Sequence, residues 1–188
     1  MSQINFILAD ILDSISGDNR ATITGKLGSW MMNVGRRVSG VTAVEITWCT
    51  GSGRPGPSST DILVYVTTDV DRSVIEATGG NISEARSNPK IMGLTQVGGQ
   101  PAAALSEVYW GRAMSAIELA GGAFHEAAHN KSQQDNEMHK GKDGLLVSGP
   151  FYGSPPTEAN LQFMASHVMA QVQQTIVPHG RLTKAWYT

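Results

Sequence analysis

Apolar positions along the chain switch between two periods, and each switch marks an element. From about Asn19 to Arg37, Ile23, Leu27, Trp30, Met31 and Val34 recur at three- and four-residue spacing, which predicts a helix with one buried stripe, capped by Asp18. Val41 to Cys49 changes to a period of two: Val44, Ile46 and Trp48 alternate with Ala43, Glu45 and Thr47, as on a half-buried strand. Thr50 to Thr60 is rich in Gly, Pro and Ser and predicts a loop. Asp61 to Thr67 is an almost unbroken apolar run, the pattern of a strand covered on both faces. After an irregular stretch from Asp69 to Pro89, Lys90 to Val97 and Ala103 to Trp110 make two more strands, joined through Gly98-Gly99-Gln100-Pro101.

The helical period returns from Arg112 to Lys131, which contains no Pro and carries Met114, Ile117, Gly121, Phe124 and Ala128 on one stripe. Gly121 and Gly122 each cost about 1 kcal/mol against Ala inside a helix, so they point to close approach of other backbone. Pro155 and Pro156 open a last helix, with Thr157, Asn160 and Gln162 on its wet side and Leu161, Met164, Val168 and Val172 on its dry side. The order of helix, four strands, helix, irregular segment and helix describes one α+β domain over residues 1 to 188.

Composition narrows the function. Formal charge is −2, from 14 basic and 16 acidic residues with no basic run, so no footprint for nucleic acid is present. Met1 to Ile15 holds an apolar stretch from Ile4 to Leu12, but it carries Asp10 and Asp13 and lacks a basic leader, so it does not read as a secretory signal. No window is long enough to span a bilayer, and no membrane partner is expected. The protein then works in the cytoplasm or leaves by a route that reads no such signal. The single Cys49 can form no internal disulfide, so any metal site must be built from His and carboxylates.

Residues 125 to 129 read His-Glu-Ala-Ala-His. On a helix, imidazoles four residues apart lie one turn above the other and reach one metal ion. Glu126 sits off that line, close enough for its carboxylate to take a proton from water at the ion. The pentapeptide thus encodes two ligands and a base.

This motif, on a helix after the last strand, resembles the zincin metallopeptidases, and the stretch from Ala103 to Val177 resembles their metzincin branch. The resemblance implies a small twisted mixed sheet of about four strands packed on the motif helix, a zinc ion (Zn²⁺), and a peptide or protein substrate. It also implies a third ligand after the motif helix, a tight turn carrying Met beneath the metal, and a closing C-terminal helix. Leu145 to Tyr152 occupies the place of that turn, with Val147 or Leu146 where the family has Met, so an apolar floor remains without its thioether. The family spacing puts the third ligand on Asp135, but Ser132 stands where the family uses Gly to leave the helix, and a left-handed non-Gly residue costs roughly 1 kcal/mol or more.

His139 is the preferred third ligand, because imidazole is a common one in catalytic zinc sites. An unbroken helix would carry it about 15 Å away along the axis, so a loop through Ser132 to Glu137 must fold it back. Asp135 would then accept a hydrogen bond from a ligand imidazole. A solvated loop is the alternative for both residues. Glu158, the ligand position of the gluzincin branch, better suits the acidic first turn of the last helix. Tyr152 is a candidate to stabilise an oxyanion, as a Tyr does in some family members.

The implied reaction is peptide bond hydrolysis, with Glu126 as general base and substrate extended along Ala103 to Trp110, where Leu105, Val108 and Tyr109 shape the cleft. The alternative is a non-catalytic metal-binding structural or assembly module on the same scaffold. Glu126 separates the two, since a purely structural site has no use for a base beside an open position.

Overall fold

The computed structural model describes residues 2 to 51, 53 to 113, 115 to 149 and 151 to 178. Met114 and Pro150, assigned above to the motif stripe and the apolar turn, lie outside them. The chain is a mixed α and β structure around one six-stranded sheet. Its strands are β1 (Ser2–Asp10), β2 (Val41–Thr50), β3 (Ile62–Thr67), β4 (Gly93–Gly98), β5 (Ala103–Tyr109) and the two-residue β6 (Gln173–Gln174). They run in the order β2-β1-β3-β5-β4, with β6 also on β5. All pairs are parallel except β4 with β5.

The sheet is larger than the four strands expected, because the apolar N-terminal stretch forms an interior strand between β2 and β3 and β6 joins β5. Ile4, Phe6 and Leu8 of β1 point into one core and Ala9 and the following Ile11 into the other. A strand covered on both faces loses the alternation by which strands are recognised. Asp10, which argued against a leader, ends β1 and ties the next turn: its carboxylate accepts from Ser14 N at 3.1 Å, Ile15 N at 2.9 Å and Arg20 at 2.8 Å.

Five helices flank the sheet: α1 (Gly17–Gly35), α2 (Val74–Ala77), α3 (Ser83–Ser87), α4 (Ala116–Ser132) and α5 (Glu158–His167). The two short helices occupy the stretch read as irregular. They cover one face, where Val74, Ile75, Ile82 and Ala85 pack on Leu63, Tyr65, Leu105 and Tyr109. Glu107 of β5 is buried beneath them and accepts from Val74 N, Ile75 N, Ser73 Oγ and Tyr109 OH. Burial raises its pKa against those four donors.

α4, the motif helix, lies on the opposite face with α1 and α5 beside it. It starts at Ala116, after a 3-10 turn at Trp110–Arg112, and Ser115 Oγ caps it by accepting from Glu118 N. Every residue from Leu119 to Lys131 is buried, so the helix is central and not amphipathic. Its small residues make this fit. A side chain at Gly121 would stand 2.0 Å from Tyr152 O, which is the close backbone approach expected. Gly122 meets only side chains at ordinary distances, 3.7 Å or more.

α5 begins at Glu158 behind the cap Thr157, later than the two Pro residues suggested. Glu158 forms an ion pair with Arg37 at 2.5 Å, in keeping with its reading as a first-turn acid. Asn160, expected on the wet side, is fully buried. Among the described residues no helix is long and apolar enough to cross a membrane.

Phe6, wholly buried in the interior strand β1, tests this assignment. Phe6→Ala is expected to cost about 3–5 kcal/mol, the usual loss for a buried aromatic, whereas the exposed Gln3→Ala stays near neutral. Denaturant unfolding measures both. A loss under about 1 kcal/mol for Phe6→Ala would displace β1 from the interior of the sheet.

Candidate metal centre

His125 and His129 project from α4 one turn apart, and their Nε2 atoms are 3.2 Å from each other. The chain then leaves the helix at Gln133, whose φ of 55° makes it the left-handed residue, one position after Ser132. A 3-10 turn at Asn136–His139 follows, and Met138, fully buried, anchors it in the core. That turn brings His139 back onto the motif: its ring lies 5.2 Å from His125 and 4.9 Å from His129. One donor atom from each of the three imidazoles falls within 4.8 Å of the others, so the cluster can hold a metal ion.

Each ring is fixed through its other nitrogen. His125 Nδ1 is 2.5 Å from Leu145 O, His129 Nδ1 is 2.7 Å from Gln134 O, and His139 Nδ1 is 3.0 Å from Leu146 O. A carbonyl only accepts, so each Nδ1 carries a proton, and in a neutral ring Nε2 is then left with the bare lone pair. Burial pushes His125 down to about 3, with repulsion from His129 and His139 adding to it and the Leu145 carbonyl opposing. Burial also lowers His129. Two neutral imidazoles therefore aim lone pairs at each other across 3.2 Å, an unfavourable contact unless a cation lies between. Tetrahedral coordination at Zn–N distances near 2.0–2.1 Å separates two nitrogens by about 3.3 Å, and the His125–His129 pair has that spacing.

Asp135 stands outside this group. It is exposed, at the head of the 3-10 turn, and the hydrogen bond expected of its carboxylate is taken by main-chain carbonyls. The Leu145 carbonyl is itself held: Leu145 N donates to Asn160 Oδ1 at 2.8 Å, and Asn160 Nδ2 donates to Asp143 O at 2.8 Å. Asn160 is buried for this reason. Leu145 and Leu146 form the apolar floor, fully buried, while Val147 is only half-buried.

Glu126 lies beneath β4. Its Oε2 accepts from Thr95 Oγ1 at 2.7 Å, and a side chain at Gly93 would come within 2.8 Å of its Cγ and 2.9 Å of its Oε1. Burial pushes its pKa up to about 8; the Thr95 hydroxyl opposes this, and Glu107 and Asp135 add to it. A cation on the neighbouring imidazoles would draw it back down. Tyr152 is buried with its ring 5.7 Å from His125, and burial raises its pKa, so the phenol keeps its proton.

These residues line a cavity of about 450 Å³ that also touches Ile91, Met92, Leu94 and the exposed Phe151. The strand beside it is β4, not β5. β5 pairs with β3 on one side and β4 on the other, so it has no free edge for a substrate, and Leu105, Val108 and Tyr109 are core residues. Met92 O accepts from Tyr109 N, which by antiparallel alternation turns the main-chain groups of Gly93, Thr95 and Val97 outward. Thr95, Gly93 and Asn160 were not singled out from the sequence, because their partners lie far along the chain. No family model, curated protein or solved structure matches this chain.

His125→Ala, His129→Ala and His139→Ala are each expected to abolish tight binding of one zinc ion per chain, while Asp135→Ala leaves affinity close to that of the unaltered protein. Zinc titration against a chromophoric chelator reads this directly. An Asp135→Ala variant weakened as much as His139→Ala would move the third ligand back to Asp135.

Proposed function

We propose that the chain is a zinc-dependent metallopeptidase of zincin type, related to the metzincins, that hydrolyses peptide bonds in a peptide or protein substrate. The observation that carries this reading is the convergence of His125, His129 and His139 at one cavity that the carboxylate of Glu126 also lines. A bound Zn²⁺ would supply Lewis acidity, polarising a carbonyl and acidifying water. The chain's own residues do the rest. His125, His129 and His139 hold the ion, and Glu126, one residue along α4 from His125, accepts the proton from attacking water and returns it to the leaving amine.

Tyr152 keeps a protonated phenol against the cavity and can donate to a developing oxyanion. Substrate lies extended along β4, whose outward main-chain groups add it as a further strand. A site serving only structure would close with a fourth protein ligand. Among the described residues the cluster holds three, and the remaining side opens into the cavity. That favours turnover over a scaffold.

Glu126→Gln keeps size and shape but removes the base. It is expected to retain zinc and fold while lowering peptide hydrolysis by at least roughly 10²-fold, the scale of a lost general base. A mixed peptide library read by mass spectrometry, with chelated protein as control, supplies the substrate. Zinc-loaded, folded protein that cleaves nothing would instead support the structural module, and equal cleavage by Glu126→Gln would remove the base assigned here.

A further inference from the structure

Behind Glu126 runs a buried chain of polar side chains that the reaction does not itself require. Thr95 Oγ1 is 3.0 Å from Ser106 Oγ; Ser106 Oγ is 3.0 Å from Asn130 Nδ2; and Asn130 and Gln174 exchange two amide bonds, at 3.0 and 3.1 Å. Ser106, Asn130 and Gln174 are buried, on β5, α4 and β6. The chain therefore links the last strand of the sheet to Glu126.

Its direction is set by groups that cannot flip. Leu63 N can only donate, and it reaches Gln174 Oε1; Asp61 O can only accept, and it is reached by Gln174 Nε2. Those two main-chain groups fix the Gln174 amide. The reciprocal pair then fixes Asn130, whose Nδ2 has one hydrogen for Gln174 Oε1 and one for Ser106 Oγ. Ser106 Oγ accepts there, and it also stands as an acceptor to Thr95 Oγ1 at 3.0 Å. Thr95 has one proton and three acceptors, Glu126 Oε2 at 2.7 Å, Ser106 Oγ at 3.0 Å and Glu126 O at 3.1 Å. The shorter bond to the carboxylate is the stronger.

We propose that Thr95 is a positioning residue that donates to Glu126 Oε2 and so reserves Oε1 as the oxygen that takes the reacting proton. This rests on Glu126 being the base of the proposed peptidase. Gly93 supports the same division, because any side chain there would press on Oε1 and Cγ.

The test uses Thr95→Val, which keeps shape and loses the hydroxyl, Thr95→Ser, which restores it, and each combined with Glu126→Gln. In chelated protein, the infrared difference between a background and its Glu126→Gln partner isolates the carboxyl band of Glu126. That band is expected to shift in Thr95→Val and to return in Thr95→Ser. In zinc-loaded protein, Thr95→Val is expected to lower kcat roughly 10- to 100-fold, the worth of a hydrogen bond to a charged group, with KM and zinc affinity unchanged and Thr95→Ser recovering most of it. An unshifted band in Thr95→Val overturns the proposal, as does an equal loss of kcat in both variants. If the unaltered protein cleaves nothing, the peptidase reading falls, and the infrared result alone decides whether Thr95 orients Glu126.

Discussion

Each imidazole of the cluster gives its Nδ1 proton to a main-chain carbonyl, and the rest of the site depends on that gift. It leaves Nε2 of each ring as the atom available to an ion in one small space. The acceptors are not incidental. Gln134 O is in place because the chain turns left-handed at Gln133, while Leu145 O and Leu146 O are in place because both side chains are buried and Asn160 ties Leu145 N. A cation that relieves the facing lone pairs also stabilises residues 133 to 146 in this path, so binding and local folding are linked.

The same logic governs α4 as a whole. A helix buried on every side must be built of small residues where backbone approaches, and each of its polar groups must find a partner. Glu126 finds Thr95, and Asn130 finds Ser106 and Gln174. Lys131 directs its ammonium to the carbonyls of Ser59, Thr60, Asp61 and Ala170, and burial pulls its pKa down to about 8. Asp61 thus receives both Lys131 and Gln174 on one carbonyl. The loop before β3 and the segment after α5 are fastened to the end of the motif helix by these two side chains.

What the sequence disclosed follows from range. His125, Glu126 and His129 were legible because their relation is local, four residues on one helix. His139 could only be preferred, since its return depends on where the helix ends and on Met138 entering the core. β1 was missed because a strand covered on both faces carries no alternation, and Asp10 and Asp13 beside it resemble a polar terminus. Asn160 was placed on the wrong face because a helix's first turn is usually wet, whereas here its Oδ1 accepts from the backbone N–H of the cap Thr157 and from Leu145 N at once. Thr95 was invisible: its acceptor lies 31 residues away, on another element.

β4 joins these threads. Its side chains at 93 and 95 face Glu126, one by being absent and one by donating a hydroxyl, while the main-chain groups of the same two residues turn outward along the cavity. A peptide lying on that edge would be held by the same residues that orient the carboxylate. Movement of the strand would then displace base and substrate together, so their separation stays nearly constant. In a reaction where a small misplacement of the reacting groups is costly, that shared support gives a role to the missing side chain at Gly93 and to the half-buried hydroxyl of Thr95.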